Sequence, residues 1–272
     1  MKKGTRLDAY LAEKGLSDSR EKAKREILAG WVKVDGETVR EPARPVGENR
    51  DVAVERPGGV FASRGGEKLA HALEHFGIDV RGRVVADLGA STGGFTDCLL
   101  ERGASLVYAI DVGYGQLDYR LRRDPRVVVR ERTNVRHVGR AEFEQQPGFV
   151  TADLSFISIV KVAPVIRDVF GPVEGVVLVK PQFEAEKHEQ KKGVVRKPDI
   201  HERILGRVID GLLDAGWAIR GLCYSPLKGP AGNIEFLLYF SVGIPGSPET
   251  PMADIGQIIN RVVREAHMNL DI

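Results

Sequence analysis

The chain is short of cysteine, of aromatic residues and of long apolar runs. Its 272 residues hold two cysteines, Cys98 and Cys223. They form no C-x-x-C pair and no ladder, which argues against a disulfide framework and a thiolate zinc site. Each is expected to be a small buried hydrophobe. No segment approaches the roughly 18 apolar residues of a membrane span. The longest apolar stretches, Val176 to Val179 and Ile234 to Val242 (with Glu235 and Ser241 inside it), are the size of strands. Met1-Lys2-Lys3-Gly4-Thr5-Arg6 contains no apolar core of a secretory signal, so the chain is expected to be cytoplasmic. Charge of one sign is also lacking. Lys and Arg number 40 against 38 Asp and Glu, and a net +2 does not by itself imply a polyanionic partner. Residues 1–60 carry 13 cations and 11 acids, so the small excess sits in the N-terminal fifth, where an anionic partner could touch.

What is present is ordinary for a folded protein. Hydrophobic residues make up 42% and charged residues 29%, enough apolar surface for a sizeable core. The length suits one large domain or two modest ones. Residues 5–30 read as two short helices. Thr5 with Asp8, and Asp18 with Glu21, resemble capping boxes, and Gly15 and Gly30 end the two helices. Asp35-Gly36 between alternating apolar residues predicts a hairpin, because a type I′ turn needs positive φ at both central positions. Val52-Ala53-Val54 is a further strand, and Pro57, Gly58 and Gly59 mark a boundary. The division expected is a small α+β domain over 1–57, a linker over 58–64 and a larger domain over 65–272.

The larger part alternates strand and helix. Strands are expected at Val84–Asp87, Leu106–Asp111, Val127–Val129, Phe149–Asp153 and Val176–Lys180. Helices are expected to begin at Phe95, to run from Ile157 to Phe170 despite Pro164, and to run from His201 to Ala215 and Ala253 to His267. Repeated βα units imply an α/β fold of Rossmann-like, doubly wound type with a parallel sheet. Trp217–Tyr224 and Ile234–Val242 lie too close for a crossover helix, so they must pair antiparallel at one edge.

The first βα turn is Asp87-Leu88-Gly89-Ala90-Ser91-Thr92-Gly93-Gly94-Phe95. A glycine-rich turn there is where such a sheet binds a nucleotide, yet neither G-x-G-x-x-G nor a P-loop is present. Asp87 ends its strand with a carboxylate facing the turn, which would repel phosphate but suits a cationic ligand such as the amino group of S-adenosylmethionine. Asp111 ends the second strand, 22 residues after Gly89, the usual distance for an acid that grips ribose hydroxyls. Asn134, after the third strand, is a candidate for the adenine. Asp153 and Lys180 end later strands and so fall at the ligand edge of the sheet. Glu235 joins them because the antiparallel last strand starts at that edge, and Lys68 lies just ahead of the first helix of the larger domain. Two lysines among two acids form a proton-handling cluster able to activate a hydroxyl toward a methyl group.

Ser63-Arg64-Gly65-Gly66-Glu67-Lys68-Leu69, the run Gly89 to Thr96, Asp111 to Leu117, Ala152 to Ser158 and Lys180 to Glu184 together resemble the TlyA (hemolysin A) family of ribosomal RNA 2′-O-methyltransferases. The resemblance spans nearly the whole chain. Residues 1–57 resemble the S4-type RNA-binding module of that family, and the larger domain the FtsJ/RrmJ-like class of S-adenosylmethionine-dependent methyltransferases. The resemblance implies a tetrad of Lys68, Asp153, Lys180 and Glu235, in which Lys180 polarises or deprotonates the ribose 2′-hydroxyl, Asp153 and Glu235 hold the lysines and Lys68 helps place the nucleotide. It implies S-adenosylmethionine bound by Asp87, Gly89, Ser91, Gly93, Gly94, Phe95, Asp111, Asn134 and Asp153, and no metal. It implies ribosomal RNA or ribosomal subunits as partner, with cytidine modified in 23S and, in members of the dual-substrate type, also in 16S rRNA. Arg6, Arg20, Lys22, Lys24, Arg25 and Arg64 are the basic positions suited to phosphate contacts.

Other readings compete. His71-Ala72-Leu73-Glu74-His75 matches the H-x-x-E-H pattern of a zinc peptidase, but Leu69, Leu73 and Phe76 form the apolar stripe and no third ligand presents itself. A pore-forming hemolysin would need spanning strands or a strongly amphipathic membrane helix. A non-catalytic RNA-binding assembly factor would not need the strand-end lysines and acids. The charged segment from Glu184 to Lys197 reads either as a lid over the acceptor or as a surface loop.

Overall fold

A computed structural model describes residues 4–17, 19–28, 30–47, 50–54, 61–245 and 252–270. The chain divides into two compact units, Met1–Val60 and Phe61–Ile272.

The first unit runs β1 (Thr5–Arg6), α1 (Leu7–Glu13), α2 (Arg20–Leu28), β2 (Val32–Val34), β3 (Glu37–Val39), β4 (Pro45–Val46) and β5 (Val52–Val54). Leu7 and Leu11 of α1 and Ala23 and Ile27 of α2 share a helical face. They bury against Val32, Val34, Val39 and Val46. The sheet has the antiparallel order β3-β2-β5, and β1 pairs with β4. Asp35 and Gly36 both take positive φ (52° and 83°) and turn β2 into β3, as a type I′ hairpin requires. Gly30 also has positive φ and ends α2, where Trp31 N–H reaches the Glu26 carbonyl at 3.0 Å. The capping box expected at Thr5 does not form: Thr5 pairs with Val46 in β1, and Asp8 points inward instead. Asp18, expected to cap the second helix, lies outside the described residues; Ser19 Oγ accepts the Lys22 N–H at 3.2 Å.

The second unit is α3 (Gly65–His75), β6 (Val84–Leu88), α4 (Gly94–Glu101), β7 (Leu106–Ile110), α5 (Tyr119–Arg123), β8 (Val127–Arg130), β9 (Phe149–Ala152), α6 (Ala163–Phe170), β10 (Val173–Val179), α7 (Pro181–Glu184), α8 (Pro198–Asp214), β11 (Trp217–Tyr224), β12 (Phe236–Val242) and α9 (Met252–Asn269). Phe61 to Arg64, assigned to a linker from sequence, belong to this unit: Phe61 packs on its core and Ala62 N–H donates to Asp97 Oδ2 at 2.6 Å. The sheet order is β11-β12-β10-β9-β6-β7-β8. Strands β6 to β10 are parallel, and β12 is antiparallel to both of its neighbours.

Alternation along the strands builds two cores. Val85, Val107, Ala109, Val176 and Leu178 face Leu69, Leu73, Phe95 and Leu99 of α3 and α4. Ala86, Leu88, Ile110, Val150 and Val177 face Ile166, Leu205, Ile209 and Val263 of α6, α8 and α9. Both faces are covered, as a parallel sheet requires.

The hairpin expected from the last two strands forms, and β12 is its inner member. β12 is an apolar run with only Tyr239 partly exposed, so it belongs between neighbours, whereas β11 carries Arg220 and a bulge between Ile219 and Gly221, which suit an edge. Pro164 does not sit within a helix over 157–170. It lies in the first turn of α6, where its missing N–H is no loss, and a 3-10 turn over Ile159–Lys161 precedes it. The short helix α5, capped by Asp118 accepting the Arg120 N–H at 2.9 Å, has no counterpart in the sequence expectations.

Candidate active site

Site construction starts at the turn after β6. Gly89 (φ 85°) and Gly93 (φ 95°) occupy the left-handed region. A Cβ on Gly89 would stand 2.5 Å from the Asp153 carbonyl oxygen. A Cβ on Gly93 would collide with Leu121, and one on Gly94 with Ser63. The turn is therefore pressed between the end of β9, α5 and the start of α3. Gly93, Gly94 and Phe95 are buried and shape the turn from behind, while Ser91 is exposed at its crest.

Asp111, directly after β7, organises this crest. Its Oδ2 accepts the Ser91 N–H at 2.8 Å and its Oδ1 the Gly113 N–H at 2.6 Å. Val112 and Tyr114 follow it with exposed side chains, which leaves an apolar face beside a carboxylate. Asn134 begins a 3-10 turn after β8, and its Oδ1 is taken by the Arg136 N–H at 3.1 Å. A carboxylate beside a tight glycine turn and an open apolar face fit a nucleoside with a cationic substituent, the chemistry of S-adenosylmethionine.

Asp87 corrects the sequence expectation. It does not face the turn. It is fully buried, with Oδ2 accepting Thr96 Oγ1 at 2.7 Å and Oδ1 accepting Thr151 Oγ1 at 2.9 Å. Its place one residue inside the end of β6 turns it toward α4, so it pins the first turn of α4 to β9. Burial pushes its carboxyl up to about 7, against the pull of both hydroxyls. A second buried group behaves oppositely. His201 of α8 lies 2.9 Å (Nδ1 to Nε2) from His267 of α9, and burial lowers its pKa to about 4.

These two shifts predict opposite pH linkages. With its pKa raised when folded, Asp87 contributes stability that is full below the unfolded carboxyl range and is lost as pH rises through about 7. With its pKa lowered, His201 contributes stability that is full above the unfolded imidazole value and is lost as pH falls toward about 4. Relative to wild type, Asp87→Asn should gain stability between pH 5 and 7, and His201→Gln should lose it. Urea midpoints at the two pH values check both signs.

The four strand-end residues gather at the carboxyl edge as two separate ion pairs. Lys180 Nζ lies 2.5 Å from Asp153 Oδ1 and donates to Ser155 Oγ at 3.0 Å. Lys68 Nζ donates to Glu235 Oε2. The register explains the meeting: Val179 of β10 pairs with Phe236 of β12, so Lys180 and Glu235 come next beyond the ladder. Gln182 bridges toward the second pair, with Nε2 3.5 Å from Glu235 Oε1. Lys68 is not ahead of a helix but inside the first turns of α3. Its pair is buried, whereas the Lys180 and Asp153 side chains keep 12% and 24% of their surface open. Of the two, the Lys180–Asp153 pair is the one that can meet a substrate directly.

Residues that sequence reasoning missed stand beside that pair. Phe156 is 91% exposed, takes a φ of 64° and lies 5.1 Å, ring to ring, from Phe183. A bulky residue in that region is a backbone outlier, and here it presents an aromatic face beside Phe183, whose ring centroid lies 5.9 Å from Lys180 Nζ. Phe156 stands between Leu154 and Ile157, so the apolar pattern held no signal that it faces solvent. Glu184 Oε1 accepts the Ile159 N–H at 2.8 Å and anchors the far end of the Phe156 loop.

His71 and His75 stack at 5.9 Å, and among the described residues no group of three or more His, Cys, Asp or Glu could hold a metal. Among the described residues no helix is long and apolar enough to cross a membrane. In the first unit, Asp8 is buried and binds Arg6 through Nε (3.1 Å) and Nη2 (2.8 Å), with Arg20 Nε at 3.4 Å. The Arg6 guanidinium holds the Asp8 carboxyl below the usual range. Arg6 and Arg20 are thus gathered on one acid, Lys24 and Arg25 are exposed on α2, and Lys22 is half-buried. Arg64, in the second unit, directly precedes α3 and donates through Nη2 to the Lys228 carbonyl at 3.3 Å.

A doubly wound sheet with a glycine turn and lysine–carboxylate pairs at its carboxyl edge has the ligand-binding layout of enzymes that use a nucleoside cofactor. Residues 61–242 match the FtsJ-like methyltransferases and residues 5–52 the S4 domain, and the chain belongs to the FtsJ-like methyltransferase family. It is 44% identical to the 16S/23S rRNA (cytidine-2′-O)-methyltransferase TlyA of Mycobacterium tuberculosis, over 88% of this chain and 90% of that one. It is 43% identical to hemolysin A of Brachyspira hyodysenteriae, over 87% of this chain and all of that one. A solved structure of a candidate hemolysin from Streptococcus thermophilus superposes with a TM-score of 0.76 at 37% identity, covering 99% of this chain and 98% of that one.

Proposed function

We propose that this protein transfers a methyl group from S-adenosylmethionine to the 2′-hydroxyl of cytidine in ribosomal RNA, with 23S and 16S rRNA both as substrates and the S4 domain as an RNA-binding part. A cytoplasmic location follows from such a substrate. The observation that carries the reading is the partly open Lys180–Asp153 pair, fixed by Ser155 beside the glycine turn.

Gly89, Ser91 and Asp111 would hold the cofactor, with Val112 and Tyr114 offering an apolar face to its base. Bound there, S-adenosylmethionine supplies an electrophilic methyl group. Lys180 acts on the acceptor. As the 2′-oxygen forms its bond to carbon it must give up a proton; the Lys180 side chain is the polar group held in place to polarise that hydroxyl, and the proton would pass to water or, relayed by the lysine, to Asp153. Asp153 and Ser155 restrict the lysine to one position, which removes an orientational cost at the moment of reaction. Phe156 offers a stacking surface for an unstacked base, the mode by which single-stranded RNA is read. Lys68 and Glu235 form the buried support behind Gln182 and Lys180.

The test is methyl transfer to isolated 50S and 30S subunits, followed by digestion to nucleosides. The expected product is 2′-O-methylcytidine. Methylation confined to a base, or no transfer to either subunit, would overturn the proposal.

A further inference from the structure

The segment between α7 and α8 is not a loose loop. Lys191 and Val194 exchange two backbone hydrogen bonds, at 3.0 and 3.1 Å, around Lys192 and Gly193. Those two residues take positive φ of 54° and 77°, so the segment is a small hairpin with a type I′ turn. Two anchors hold it. Before the hairpin, the buried Glu189 takes both guanidinium nitrogens of Arg207 of α8, at 2.8 and 2.6 Å, which lowers its carboxyl to about 2. Beside the hairpin, the buried Asn233 donates Nδ2 to the Gly193 carbonyl at 2.9 Å and accepts the Val195 N–H on Oδ1 at 3.0 Å. A carboxamide both donates and accepts, so it can serve both backbone groups at once; a carboxylate lacks the donor and an alkyl chain lacks both.

Asn233 stands two residues before Glu235, and its own carbonyl accepts the Gly229 N–H at 2.9 Å. One buried side chain therefore ties the hairpin to the segment that delivers Glu235 to Lys68. The outer surface of the hairpin region has a cationic excess: Lys187, Lys191, Lys192, Arg196 and Lys197 are exposed, and the exposed acids flanking them, Glu186 and Asp199, lie against His188 and Arg203. The acid nearest in sequence that is buried, Glu189, is already spent on Arg207. A merely solvated charge run needs no two-sided clasp, whereas cations held in advance lose less freedom when they bind. The segment from 187 to 197 has no Phe, Tyr or Trp and one ring, the exposed His188, against five Lys and Arg, so its chemistry suits phosphates more than bases.

We infer that Asn233 is a positioning residue that holds this hairpin as a preformed clamp for the phosphodiester backbone of the acceptor RNA, next to the Lys180 and Glu235 edge. The inference rests on the RNA methyltransferase reading above.

The experiment uses the full chain and the ribosomal subunit that the wild type methylates. RNA binding is measured from about 50 to 300 mM salt, where each phosphate contact contributes a slope of about 0.7 to 0.9 in log affinity against log salt. Lys191→Glu with Lys192→Glu should weaken RNA binding at least about tenfold and reduce the slope by about 1 to 2, with S-adenosylmethionine affinity within about twofold of wild type. Asn233→Ala should lose slope as well, although it removes no charge, and a purely structural role would leave the slope alone. An unchanged slope in Asn233→Ala that still binds S-adenosylmethionine overturns the inference. So does unchanged RNA binding in the charge-reversed hairpin, which lies on the surface and decides the matter even if Asn233→Ala fails to fold. A wild type that methylates neither subunit is a different result and overturns the proposed function instead.

Discussion

Lys180→Ala is expected to lower single-turnover methyl transfer about 1,000-fold, within the range of a lost acid–base or polarising group. S-adenosylmethionine affinity should stay within a few-fold of wild type, because Lys180 is paired with Asp153 and Ser155 and not with the glycine turn or Asp111. The partial exposure of the pair makes this the cleanest test of the chemistry. Removing Lys180 leaves Asp153 with 24% of its side chain open, so water can take the place of the ammonium. Lys68→Ala would be harder to read. It strands Glu235, whose side chain is 1% exposed, and breaking a buried pair costs about 3 to 5 kcal/mol of stability. Lys180→Arg separates two roles of the lysine. Arginine keeps the charge but does not release its proton near neutral pH, so rescue would assign Lys180 an electrostatic role and failure a role in moving the proton. Activity of Lys180→Ala within about tenfold of wild type would remove Lys180 from the reaction.

Gly89→Ala is expected to be the most damaging change in the turn. A φ of 85° costs a residue with a Cβ about 1 to 3 kcal/mol. The added carbon would also stand 2.5 Å from the Asp153 carbonyl oxygen, and that backbone belongs to the end of β9. Either the turn or Asp153 must move. The expected result is a loss of stability of about 2 to 4 kcal/mol together with more than tenfold weaker S-adenosylmethionine binding. Gly77→Ala supplies the control. Its φ is 64°, but nothing lies within 4 Å of the added carbon, so it isolates the conformational strain. Calorimetric titration of both variants with S-adenosylmethionine, alongside urea unfolding, separates the two costs. Equal effects at the two positions would show that the Gly89 turn is not held against β9 as described.

Local chemistry carried much of the fold. Asp35-Gly36 announced its hairpin because left-handed backbone is cheap only for a few residue types. The spacing of Trp217–Tyr224 and Ile234–Val242 forced an antiparallel pair, and from that alone Glu235 was expected near Lys180. Three features were out of reach. Asp87 looked like a ligand because strand ends face ligands, but it sits one residue inside β6, and only the packing of Thr96 and Thr151 shows it turned inward. Phe156 would be taken for core, since nothing in the apolar pattern says that a left-handed backbone turns it into solvent. The Glu184 to Lys197 segment was undecided between lid and loop because its clasp, Asn233, is nearly 40 residues away.

The division has a physical reason. Propensity, turn chemistry and hydrophobic period act over a few residues, so the sequence by itself determined the alternating βα units and the antiparallel pairing of the last two strands. Which carboxylate each lysine binds depends on contacts across the chain: Lys68 and Glu235 are 167 residues apart, and Lys180 chooses Asp153 because β9 lies next to β10. Only the tertiary structure decided that one pair is buried support and the other an open pair, since burial is a property of everything packed around a group and of no residue alone.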